Sequence, residues 1–189
     1  MAERPIPAPP TPAGLHEAAL NYLARFATTE AGLRAVLDRR IDRWARATAD
    51  TDPAPRVAAL KLDARQIAAR LVASGLIDDA AFARSRATGL LRAGRSRRAV
   101  TAKLVEKGIG GELARAAISD DPDAELNAAL VLARKRRIGP FRRGDTPDPA
   151  GKRRELAVLA RAGFPQPVAA QALAMGTEEA EARIFAFRQ

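Results

Sequence analysis

The sequence predicts an all-α protein, an elongated or curved row of three tandem three-helix modules behind a disordered Pro-rich N-terminal tail. Three observations predict it. From Leu15 onward every segment carries apolar residues at helical spacing, with no run of strand alternation. Hydrophobic residues make up 47% of the chain but aromatic residues only 4%, so the apolar content is mostly Ala, Leu and Val, which suits thin helices in close packing. Finally, "RSRRAVTAKLVEKGI" at 95–109 is echoed by "GKRRELAVLARAGF" at 151–164 and more faintly by "LRAVLDRRI" at 33–41. Each copy has a basic helix, and the first two end at a Gly followed by one large apolar residue. Such small modules bury their faces only by stacking on neighbours.

The elements follow in order. Residues 1–14, "MAERPIPAPPTPAG", hold five of the 13 prolines and no apolar run, and read as the tail. The first module, 15–77, opens with Leu15, Ala19, Tyr22, Leu23 and Phe26 on one face. Thr29 is an N-cap for a second helix with Leu33, Leu37, Ile41 and Trp44 on one stripe. "TADTDPAP" reads as a linker, Asp63 as the cap of a third helix, and Gly75 as its left-handed stop, with Leu76 folding back beneath it.

The second module, 78–119, starts with a helix capped by Asp78 or Asp79, its buried side formed by Phe82, Ala83, the stem of Arg86, Ala87 and Leu90. "RAGRS" is a turn. Ser96 caps a helix with Val100 and Leu104 facing in, and Gly108 and Ile109 end it. The third module, 120–176, has a helix led by Pro122, a long loop "GPFRRGDTPDP", a helix through Leu156 and Leu159 stopped at Gly163 and Phe164, and a short helix from Pro165. Residues 177–189 make a final amphipathic helix.

The chain carries 32 Lys and Arg against 22 Asp and Glu, a formal charge of +10, which predicts a polyanion or an acidic protein surface as partner. Cys is absent and His16 is the single histidine, so no disulfide, thiol nucleophile or zinc site is expected, nor a Ser-His-Asp triad. No phosphate-cradling loop or cofactor motif is found, and no stretch is long and apolar enough to span a membrane. These features predict a cytoplasmic, non-catalytic protein without cofactor or metal; a monomer is the default expectation.

The surplus charge is concentrated. From Arg84 to Lys107 there are eight basic residues against Glu106, and from Arg134 to Arg154 nine against Asp145 and Asp148. The candidate partner- or nucleic-acid-binding residues are Arg92, Arg95, Arg97, Arg98, Lys103 and Lys107 in the first cluster. Those in the second are Arg136, Arg137, Arg142, Arg143, Arg153 and Arg154. Cations at 134–137 also suit the C-terminal dipole of their helix, whereas Arg95, Arg97 and Arg98 sit at a helix N-terminus where that explanation fails. Phe141 is either a base-stacking aromatic or the pin of its loop. Trp44 reads as core, and Asp78 and Asp79 read as caps without chemistry.

"LIDDAAFARSRATGLLRAGRSRRAVTAKLVEKGI" resembles the RecX family, small basic modulators of the RecA recombinase. Asp78, Asp79, Phe82 and Ala83 match the first part of that family's pattern; Gly94, Val100, Leu104, Lys107, Gly108 and Ile109 match the second. "ALNYLARFATTEAGLRAVL" is similar to the family's opening module, with Ala19, Tyr22, Leu23, Arg25 and Leu33 in register, and the resemblance runs from about Leu15 to Met175. Two places depart from the pattern: Ser96 and Arg97 replace the second loop glycine and the residue after it, and "ARFATTE" replaces the usual Ser after Arg. The resemblance implies a regulator that binds RecA filaments on single-stranded DNA and restrains ATP hydrolysis and strand exchange in recombination and DNA repair. The alternative is a basic helical protein acting directly on DNA. No helix shows the Asn-, Gln- or Ser-rich face expected for reading bases.

Overall fold

The computed structural model describes residues 8–145 and 147–189. Among these there are ten α-helices and no strand: α1 Pro12–Leu23, α2 Glu30–Ala47, α3 Ala54–Ala73, α4 Asp79–Arg92, α5 Arg97–Glu106, α6 Gly111–Ala116, α7 Pro122–Arg136, α8 Pro149–Arg161, α9 Gln166–Ala174 and α10 Thr177–Arg188. A single 3-10 turn, Gly139–Phe141, follows α7. The predicted all-α class is what the chain adopts. None of these helices is long and apolar enough to cross a membrane. The chain divides into two compact units, 1–82 and 83–189, the second taking in most of the stretch read as the second module, the third module and the last helix.

In the first unit α1, α2 and α3 pack on one another. Leu33, Leu37, Ile41 and Trp44 are buried, as the α2 stripe predicts, against Leu15 and Ala19 of α1 and Leu60, Ile67 and Leu71 of α3. The third copy of the repeated phrase lacks the glycine, and α2 accordingly runs on past Arg40 to Ala47. Thr29 caps it by accepting from the Gly32 N–H at 2.9 Å.

Several expectations need correction here. Residues 1–7 of the predicted tail lie outside the described residues, and helix α1 begins at Pro12 rather than Leu15. The Thr11 hydroxyl accepts from the Gly14 N–H at 3.1 Å, and Pro12 takes the first-turn position where a missing N–H costs nothing. Phe26 is 55% exposed, outside the core, and tilts against Tyr22 with ring centroids 5.1 Å apart. Helix α3 starts at Ala54, nine residues before the expected cap Asp63, because Pro55 also falls in a first turn and Leu60 already lies on the buried stripe. Gly75 does stop α3, at φ +74°, but the buried residue is Ile77, while Leu76 is 58% exposed.

In the second unit α7 is the axis. It packs against α8, α9, α10 and the 3-10 turn. Ala124, Leu126, Ala128, Ala129, Leu130, Val131 and Ala133 are all buried, so the helix is enclosed on nearly every side. Helix α4 buries Ala83, Ala87 and Leu91, four residues apart; Arg86 is exposed and Phe82 and Leu90 are only half-buried, so the predicted face is rotated toward Leu91.

Helices α3, α4, α5, α7 and α8 all end in the same way. The residue just after the left-handed one donates its N–H back five residues: Leu76 to Leu71, Arg95 to Leu90, Ile109 to Leu104, Ile138 to Ala133 and Phe164 to Leu159. At α7 the left-handed position is held by Arg137 at φ 56°, where the other four use glycine. Below the α5 and α8 stops, Ile109 and Phe164 are buried, which is the structural content of the repeated phrase.

A basic groove at three helix ends

In the second unit, three helix ends converge. Gly94, at φ +80° after α4, lies so close to α7 that a Cβ there would stand 3.0 Å from Val131 Cγ1 and 3.1 Å from the Leu132 nitrogen. From the other side, Lys135 Nζ donates to the Ala93 carbonyl at 2.8 Å. Ser96 is fully buried: its hydroxyl caps α5, accepting from the Ala99 N–H at 3.2 Å, and donates to the Ala162 carbonyl at the end of α8 at 2.7 Å. Gly163 permits this, since a Cβ on it would meet Ser96 Oγ at 2.7 Å. The α4–α5 turn is thus bonded to the C-terminal ends of both α7 and α8.

Between them lies an open groove of about 660 Å³, lined by Arg95 on the turn, Leu132, Lys135 and Arg136 of α7, and Val158 and Arg161 of α8. No carboxylate lines it. Arg95, Arg136 and Arg161 are exposed, and their side chains have no ion pair or hydrogen bond among the described residues. Three exposed guanidinium groups with no acidic neighbour in the groove make a site that attracts phosphate or carboxylate groups, and their charge outweighs the partial negative charge of the α7 and α8 C-terminal ends beside them. Among the described residues, no group of three or more His, Cys, Asp or Glu could hold a metal ion.

The structure separates the other candidates. Arg97 is built into the fold. Its N–H donates to Glu125 Oε2 at 2.9 Å, its Nη2 donates to the Asp121 carbonyl at 2.6 Å, and its Nε lies 3.9 Å from the same Glu125 oxygen. Glu125 is 5% exposed; burial pushes its carboxyl pKa above the usual range, and the Arg97 N–H and charge only partly offset that. Arg142 forks onto Glu155, with Nε donating to Oε1 at 3.0 Å, and Glu155 also accepts from the Gly139 N–H at 3.2 Å. This pair, with Gly139 packed against Leu173, fastens the loop after α7; Phe141 is half-buried within the turn so held.

Arg98 is exposed and lies over Gly163. Lys103 pairs with Glu106 at 2.7 Å, Lys107 is the C-cap of α5, and Arg137 is the left-handed residue ending α7. Arg92 ends α4, and Arg143 is exposed in the loop. Arg153 and Arg154 are exposed on α8, and Arg154 stands 4.0 Å from Asp148. Asp78 and Asp79 are caps: Asp78 accepts from the Ala81 N–H at 2.8 Å, and Asp79 reaches the Glu30 N–H at the start of α2 at 2.9 Å. Of the candidates, Arg95 and Arg136 meet in the groove. Sequence reasoning missed Arg161, a lone arginine in the last turn of α8. The repeated phrase gave no signal for it, since with the two glycines aligned Arg161 falls opposite Glu106.

Residues 78–118 match the family model described as "RecX, second three-helix domain". The chain is 38% identical over 156 residues to the regulatory protein RecX of Myxococcus xanthus, covering 82% of this chain and 81% of that one. It is 42% identical over 105 residues to that of Agrobacterium fabrum, covering 56% and 55% of the two chains. Against the RecX of Mycolicibacterium smegmatis it is 36% identical over 160 residues, 81% of this chain and 76% of the other. In fold it is similar to a crystal structure of regulatory protein RecX, with a TM-score of 0.65 at 22% identity over 85% of this chain and 70% of that one. It is also similar to RecX from Lactobacillus salivarius, with a TM-score of 0.62 at 18% identity over 90% and 97%. On the extent and level of that identity, the chain belongs to the RecX family of regulatory proteins.

Proposed function

We propose that the protein binds RecA filaments on single-stranded DNA and lowers their ATP hydrolysis and strand exchange, as a non-catalytic, cytoplasmic monomer in recombination and DNA repair. Membership of the family supports a regulatory role. The observation that carries the rest is the groove in which Arg95, Arg136 and Arg161 face solvent with no acid among them. Such a site takes negatively charged groups presented by a filament, either DNA phosphates or protomer carboxylates.

The second reading, direct action on DNA, draws on the same three arginines, because a phosphate backbone is the commonest polyanion a basic groove meets. The experiment that separates the two is ATP hydrolysis by RecA on single-stranded DNA, with this protein titrated from far below to equal the RecA concentration and excess free DNA added in a parallel series. Loss of hydrolysis at substoichiometric protein, not rescued by the extra DNA, is expected. No effect, or full rescue by DNA, would replace the filament reading with competition for DNA.

A further inference from the structure

A second hollow in the same unit differs in chemistry from the groove. It measures about 470 Å³ and lies between α8 and α9. Its walls are aliphatic: Leu156 and Leu173 stand half-buried, and the small side chains Ala170 and Ala174, one turn apart on α9, leave the space between them. Lys152 and Arg153, both exposed, form its cationic rim. Glu155 also borders the hollow, but the Arg142 fork neutralises it.

We propose that this slot docks an acidic peptide segment of a partner protein through one large apolar side chain. The slot is the size of a pocket for a side chain rather than for a domain, and its half-exposed leucines gain by being covered. The rim's uncompensated charge selects acidic flanks. A nucleic acid fits less well: the slot offers no aromatic face for base stacking, the Arg142 fork that would hold a phosphate is already occupied by Glu155, and a phosphate would leave the leucines uncovered. The slot is distinct from the Arg95 groove and does not depend on what fills it.

The test uses the full chain, labelled with ¹⁵N and titrated with a short Asp- and Glu-rich peptide carrying one central Leu. Saturable shifts are expected in the amides of residues 152–156 and 170–174. Replacing the peptide's Leu by Ala should weaken binding ~10-fold or more, as loss of one buried side chain requires. Ala170→Trp should fill the slot and abolish the shifts, and Lys152→Glu with Arg153→Glu should weaken them; both replaced rim residues are exposed, so the second variant serves even if the first misfolds. Equal binding of the Leu and Ala peptides would reduce the effect to surface charge and overturn the proposal. So would shifts at these amides from an oligothymidylate but not from the peptide, or no saturation at millimolar peptide.

Discussion

Changing Arg95, Arg136 and Arg161 together to glutamine should flatten the salt dependence of binding to single-stranded DNA and to filaments formed on it. All three are exposed and unpaired among the described residues, so the change should leave the fold intact. If each meets one phosphate, the three contacts give a slope of log K against log salt of about −2 on a single strand, so raising salt from 50 to 200 mM costs roughly 18-fold in affinity through this groove. The variant should lose that increment. Fluorescence anisotropy of a labelled oligothymidylate across this salt range measures it. The control removes three other exposed arginines of the same unit, Arg84, Arg115 and Arg188, by the same change, matching the loss of net charge. A slope unchanged in the groove variant, or reduced as much in the control, would show that diffuse charge does the work and would refute the groove.

Three further outcomes follow from the contacts described. Arg97→Ala removes the bond to the Asp121 carbonyl and leaves the buried Glu125 with only a backbone partner, so it should cost about 1–3 kcal/mol in urea denaturation, whereas Arg95→Ala should cost almost nothing. Glu125 has its carboxyl pKa raised by burial, so the folded state binds that proton more tightly than the unfolded chain. Its stabilising contribution is complete below the unfolded carboxyl pKa and is lost as pH rises through the folded one; Glu125→Gln, which keeps an acceptor for the Arg97 N–H, should remove this part of the pH dependence, seen in urea midpoints measured from pH 4 to 8. Gly163→Ala meets a left-handed backbone at φ +94° and Ser96 Oγ at 2.7 Å and should cost ~2–4 kcal/mol, while Gly75→Ala, at φ +74° with nothing near, should cost only the ~1 kcal/mol of backbone strain; thermal denaturation of the two variants compares them.

Much of this protein is written locally. Apolar residues at helical spacing determine that it is all helix, because the period is a property of each segment alone. Thr29, Asp78 and Ser96 as caps, and Gly75, Gly108 and Gly163 as stops, are equally legible, since a cap or a left-handed turn is settled within a few residues. The same local rules concealed the start of α3, where a proline suited to a first helical turn reads just as well as a linker. They also concealed which residue folds under Gly75, since Leu76 and Ile77 are alike in sequence and only packing buries the second.

What tertiary structure alone decided is the fate of the charges. Arg95, Arg97 and Arg98 look alike in sequence, yet Arg97 is tied to Glu125, 28 residues further on, while Arg95 opens into a groove with Arg136 and Arg161 from two other helices. Arg142 and Arg143 are neighbours, and one is fastened to Glu155 while the other is exposed. A charged side chain has no periodic signature of its own. Whether it is a strut or a contact depends on which distant carboxylate or carbonyl the fold carries to it, and that is a long-range fact no local pattern encodes.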